Sequence, residues 1–107
     1  ARRMIDSGMA VALGTDFGFS GHGVESHWVG LSVAVEKLKM GIEEAICAST
    51  LNAAAALEVA DEVGSIEPGK LADLAILDLD DYRDIAGSIG SNPVRMTIIA
   101  GRVVHSS

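Results

Sequence analysis

Aromatic residues, cysteine and proline are all scarce in this chain. Four of its 107 residues are aromatic, one is cysteine and two are proline. A single thiol, Cys47, excludes an internal disulfide. Lying among helix formers it reads as a small buried hydrophobe, which implies a reducing, cytoplasmic setting. Basic residues are few as well: 8 Lys and Arg face 15 acids, for a net charge of −7. Nine of those acids fall between positions 58 and 84, against only Lys70 and Arg83. That balance repels a phosphate backbone, so nucleic acid is excluded as a partner, and the acidic stretch reads as a solvated face. No apolar run reaches the ~18 residues of a membrane span, so no membrane partner is expected. The opening Ala1–Asp6 lacks the apolar centre of a signal peptide.

What is present is mostly small. Fifteen alanines and 12 glycines make up a quarter of the chain, and 49% of it is hydrophobic. With charged residues at 21%, low-complexity disorder is excluded. Small side chains let elements approach closely but bury little area each, as in one piece of a larger assembly. The length suits a single domain, and no internal repeat is visible.

Residues 1–7 read as the end of a helix, with Gly8 as its C′ residue. Met9–Leu13 is a continuous apolar run, the pattern of a strand covered on both faces in a parallel sheet. Gly14-Thr15-Asp16 ends it, and residues 17–27, with three glycines and no period, form a long loop. Loops after parallel strands are where α/β proteins place their chemistry. Trp28–Met40 reads as a helix with one stripe at Trp28, Leu31, Val35 and Leu38 and a second at Val29, Val33 and Met40. Gly41 breaks it. A second helix from Ile42 is interrupted near Thr50–Asn52 and resumes over Ala53–Leu57. Beyond Val63 come a turn centred on Pro68-Gly69, a strand over 71–78, a polar excursion over 79–92, and two strands, 94–99 and 102–105, joined at Ala100-Gly101. The expected class is α/β, with residues 1–62 one part and residues 63–107 a small β unit.

Asp16 is the first candidate for chemistry. A carboxylate closing a buried strand can bind a cation or accept a proton from an activated water. It can equally well serve as a loop carboxylate satisfied by backbone amides, and position alone leaves both readings open. His22 and His27 with Asp16 give D-x5-H-x4-H, which is not a recognised zinc spacing. His22, between Gly21 and Gly23, fits substrate contact better, whereas His105 near the end is incidental. There is no G-x-S-x-G elbow and no phosphate loop, and mid-helix Cys47 has no histidine near it in sequence.

Three segments in order carry a resemblance. Val11-Ala12-Leu13-Gly14-Thr15-Asp16 is similar to the eighth barrel strand of the amidohydrolase superfamily. Glu43-Glu44-Ala45 … Ala48-Ser49-Thr50-Leu51-Asn52-Ala53-Ala54 … Leu57 resembles the helices that follow it. Gly64-Ser65-Ile66-Glu67-Pro68-Gly69-Lys70-Leu71-Ala72-Asp73-Leu74 resembles the segment where such chains leave the barrel for a β-sandwich built from both termini.

The resemblance implies the last strand and helices of a (β/α)8 TIM barrel (residues 1–62) plus part of a composite β-sandwich (residues 63–107), a carboxy-terminal fragment of a larger enzyme. It implies a divalent metal, zinc or iron, with Asp16 as ligand and proton shuttle and the remaining ligands outside this segment. A metal-bound water would pass its proton to Asp16 and attack an amide carbon. The implied substrate is a small molecule, the implied full-length enzyme a homodimer, and the isolated fragment is expected to be inactive. Ala1–Gly8, Gly14–Phe17, Asp81-Tyr82-Arg83 and the Gly90-x-Asn92-x-Val94 stretch are most similar to members that open the ring of 4-imidazolone-5-propanoate in histidine breakdown. Phe17, Gly18, Ser20 and His22 then become the substrate-binding candidates. Those members usually carry an Asn-Pro-Gly-Ser-Ser-like run after Asp-Phe; here the loop is Gly18–Gly23, whose His-Gly pair is closer to prolidase-type relatives. Purine- or pyrimidine-type deaminases of the same group are the second enzymatic reading. An autonomous assembly or binding module, with Asp16 structural, is the non-enzymatic one.

Overall fold

A computed structural model describes residues 1–16, 26–87 and 91–107. Helix α1 (Arg2–Asp6) stops at a paired hydrogen bond: Gly8 N–H donates to the Ile5 carbonyl at 2.9 Å and Met9 N–H to that of Met4 at 3.0 Å. Gly8 supplies the positive φ, 88°, that this cap requires. The sequence placed the glycine correctly.

The expected strand 9–13 does not appear as one. A strand is a paired element, and among the described residues no other strand runs beside these. Its backbone bonds go to helices instead. Leu13 N–H donates to the Ala48 carbonyl at 3.0 Å, and the Val11 carbonyl accepts from Asn52 Nδ2 at 2.9 Å.

Helix α2 (His27–Glu36) ends four residues before the apolar pattern does. Lys37 and Leu38 both donate to the Val33 carbonyl, Lys39 takes φ 59°, and Met40 N–H turns back onto Ala34 O. Met40 is buried after this reversal, so an apolar residue at its helical spacing looked like more helix. Helix α3 (Ile42–Ser49) begins with Gly41 N–H donating to the Glu44 carboxylate at 2.8 Å, and it carries Glu43 and Glu44 in its first turn. The chain breaks at Thr50, as the sequence indicated, before α4 (Leu51–Ala56). Thr50 Oγ1 donates to the Ile46 carbonyl at 2.7 Å, a local bond that competes with helix continuation.

The buried cluster is Leu31, Ala34, Met40, Ala45, Ala48 and Ile85. Three of the six are alanines, so α2 and α3 approach closely over little buried area. Cys47 contradicts the expectation of burial and is exposed. At 100° per residue it lies some 200° round α3 from Ala45 and 100° from Ala48, off the face those alanines bury.

The second half is an antiparallel sheet in the order β1-β2-β3, formed by Leu74–Leu77, Val94–Ile99 and Arg102–Ser106. Leu74 faces Ile98, and Thr97 faces His105. The β2–β3 turn is Ala100-Gly101, as expected, with φ of 50° and 80°, the signs of a type I′ hairpin. β1 is shorter than the expected 71–78 because the residues before it bond elsewhere: Leu71 N–H to the Glu62 carbonyl, and the Ala72 carbonyl to Gly101 N–H. The polar excursion contains an unforeseen 3-10 helix, Tyr82–Gly87. It packs on α2 through buried Ile85 and through Ser32, whose hydroxyl donates to the Ala86 carbonyl at 2.8 Å.

Candidate functional site

Asp16 is the last described residue of the segment that follows α1. Its side chain is exposed, and its backbone sits at φ 54°. A non-glycine residue in that region is uncommon, though short acidic side chains adopt it more readily than most. The result is a solvent-facing carboxylate at the end of an apolar run held on the α3–α4 corner. The substrate-binding candidates Phe17, Gly18, Ser20 and His22 lie outside the described residues. His27 is the first residue of α2, partly buried. His105 is exposed on β3 opposite Thr97, in the sheet.

Among the described residues, no three His, Cys, Asp or Glu side chains gather to hold a metal ion. Asp16 alone does not make a metal site, since zinc centres use three or four protein ligands. The donors among the described residues therefore do not suffice to hold a metal ion.

Elsewhere on the helices, charged clamps that the sequence did not reveal tie α1, α3 and the 3-10 helix together. Arg2 donates both terminal nitrogens to Glu44, at 2.6 and 2.9 Å, and its Nε to Asp6 at 3.0 Å. The Arg2 guanidinium and the Gly41 amide hold the Glu44 carboxyl down to about 2. The Arg2 guanidinium is shifted upward in turn, chiefly by Glu44 and then Asp6. Next to it, Tyr82 Oη donates to Glu43 Oε1 at 2.7 Å, which lowers the Glu43 carboxyl and raises the Tyr82 phenol. In the sequence both acids stand only as part of the Glu43-Glu44-Ala45 segment; their partners, Arg2 for Glu44 and Tyr82 for Glu43, lie 42 and 39 positions away.

The turn at 64–70 is closed by its own side chains. Lys70 Nζ donates to Ser65 Oγ at 2.6 Å and pairs with Glu67 at 3.1 Å, and Ser65 Oγ also bonds Glu67. Gly64 (φ 99°) lies against α4 so closely that a Cβ there would meet Ala54 Cβ at 2.8 Å and the Leu51 Cα at 3.1 Å.

Between the helices and β1 runs an open apolar groove of about 1040 Å³, bordered by Trp28, Leu31, Ile46, Leu57, Leu74 and Leu77. Cys47 and His27 also reach it, and the hydroxyl of Ser49 is buried at its wall without a hydrogen-bond partner among the described residues. Asp16 is not part of its lining. The groove and the carboxylate are separate features.

No described helix is long and apolar enough to cross a membrane. The chain is 46% identical, over its whole length, to a protein named imidazolonepropionase from Porphyromonas gingivalis. It spans about a quarter of that relative, 25% of its length. Among solved structures, an amidohydrolase from Thermotoga maritima matches 99% of the chain at 26% identity and a TM-score of 0.74, with 25% of that protein covered. A 5-methylcytosine deaminase from Klebsiella pneumoniae shares the fold, with a TM-score of 0.78 over 99% of this chain and 27% of its own, at 20% identity. The model of the amidohydrolase family matches residues 1–104, which take in the Asp16 segment, the broken helix and the 64–70 turn alike; the chain belongs to that family.

Proposed function

We propose that this chain is the part of an imidazolonepropionase-type enzyme that carries its proton-transferring carboxylate, Asp16. The observation that carries the reading is the 46% identity, across the whole chain, to a protein of that name. Residues 1–62 are read as the last strand and helices of a (β/α)8 barrel, and residues 63–107 as part of a composite β-sandwich. An apolar segment ending in an exposed carboxylate suits the C-terminal rim of such a barrel, where barrel enzymes place their catalytic groups.

The reaction is hydrolysis of a ring C–N bond in a small cyclic amide, of the 4-imidazolone-5-propanoate type. Asp16 takes a proton from the attacking water and returns it to the leaving nitrogen, two steps within reach of one carboxylate. A divalent zinc or iron would lower the pKa of that water, with its other donors supplied beyond this chain. Phe17, Gly18, Ser20 and His22 are the proposed substrate contacts. The full-length enzyme is proposed to act in the cytoplasm as a homodimer.

The test is an assay of the full-length protein against an imidazolone, a panel of dipeptides and amino-purines, alongside Asp16→Asn. Turnover of the imidazolone alone, lost in Asp16→Asn, is the expected result. Ammonia release from a purine would replace this reading with the deaminase one. Full activity in Asp16→Asn would remove the carboxylate from the mechanism.

A further inference from the structure

The helix break at Thr50 does more than turn the chain. In a continuous helix the Ala48 carbonyl accepts from the amide of residue 52. Here it accepts from Leu13 N–H at 3.0 Å. The same break directs the partly buried amide of Asn52 across to the segment before Asp16, where Nδ2 donates to the Val11 carbonyl at 2.9 Å. Two hydrogen bonds from one helix corner thus grip alternate residues, 11 and 13, of the run that ends at Asp16. Thr50 Oγ1, bonded back to the Ile46 carbonyl, fixes the corner that makes both possible.

We propose that Asn52 is a positioning residue for Asp16, setting through the Val11 carbonyl where along the α3–α4 corner the carboxylate stands. The proposal rests on the reading of Asp16 given above. A backbone gripped at 11 and 13 leaves three residues to the carboxylate, so a slip at Val11 is passed along a short segment to the reacting group. Displacement of a reacting group by about 1 Å can cost on the order of a hundredfold in rate. Because the slip alters where a proton is taken and returned, not how substrate is held, it acts on kcat rather than KM.

The experiment uses the full-length protein with Asn52→Ala, which removes the amide, and Asn52→Asp, which keeps its size but replaces the donor with an acceptor. Each variant is measured by thermal melting, by kcat and KM separately, and by hydrogen exchange at the Leu13 amide. The expected result is a kcat lower by roughly ten- to a hundredfold with KM within about twofold, in a protein that melts cooperatively. Exchange at Leu13 is expected to be faster by about tenfold, reporting a loosened segment. A folded variant with the parental kcat overturns the proposal, as does a change in KM alone. Failure of both variants to fold makes Asn52 a purely structural residue and overturns it too. Asp16→Asn, run in parallel, separates the two levels: if it abolishes turnover while the Asn52 variants match the parent, only the positioning role falls. If Asp16→Asn keeps full activity, the reading beneath it falls.

Discussion

Arg2 and Glu44 form a two-pronged pair, with 2.6 and 2.9 Å between nitrogen and oxygen, that ties the first helix to the start of the third. The same carboxylate accepts the Gly41 amide, so one side chain caps its own helix and anchors another. Planar bidentate geometry favours arginine over lysine at such a position. With both side chains more than a third exposed, solvent screens the attraction, and orientation is the larger part of its effect.

The pair makes stability depend on pH with a definite sign. The Glu44 carboxyl is held at about 2, below its ordinary 4.5. Its contribution is present above 4.5 and is lost as pH falls toward 2. Denaturant melts across that window are expected to weaken in the parent and to change less in Glu44→Gln. An equal slope in both would show that the clamp contributes nothing.

Tyr82→Phe removes the hydroxyl that donates to Glu43. The Glu43 carboxyl is then expected to rise toward its ordinary value, because that hydrogen bond is the main cause of its lowering. A proton NMR titration of the Glu43 side chain measures this directly. An unmoved titration would place the cause elsewhere.

Gly64 and Gly69 both have positive φ, 99° and 94°, but differ in space. A methyl group at 64 collides with α4, whereas at 69 it meets nothing within 4 Å. Gly64→Ala is expected to cost about 2–4 kcal/mol, combining overpacking with backbone strain. Gly69→Ala is expected to cost about 1 kcal/mol, from strain alone. Paired urea melts decide the ranking.

Ala100 opens the β2–β3 turn at φ 50°, where alanine is strained and asparagine is at ease. Ala100→Asn is expected to stabilise the protein by about 0.5–1 kcal/mol, read as a raised urea midpoint at constant slope. A lowered midpoint would mean that the methyl group has an unnoticed packing role.

Much of this architecture is legible in the residues where the controlling interaction is local. Gly8 as a helix cap, the interruption at Thr50 and the Ala100-Gly101 hairpin each depend on φ preferences or neighbours within a few positions, whereas the helix expected to break at Gly41 already ends at Glu36. The misses share a different cause. Met40 is buried by a chain reversal that mimics helical spacing, and the 3-10 helix at 82–87 is secured from α2 by Ser32 and Ile85. Residues 9–13 have the composition of a buried strand, yet pairing is a property of neighbours, and no strand lies beside them among the described residues. Cys47 was misread because helix-forming company does not say which way a side chain faces. Asp16 stands out as a candidate from its place after an apolar run, and the structure leaves it exposed. Asn52 could not be given a part, since its partner at Val11 lies 41 positions away.

The outer margin of the sheet has a practical consequence. β3 is exposed along all five residues, with Val103 and Val104 each 58% accessible, and among the described residues it is one of the two edges of the sheet β1-β2-β3. Its outward amides and carbonyls can template another extended chain, with Arg102 as the one Lys, Arg, Asp or Glu on the strand to act as gatekeeper. Expression of these 107 residues alone thus invites edge-to-edge oligomers, and a lysine at 103 or 104 is the simplest means of keeping the chain dispersed.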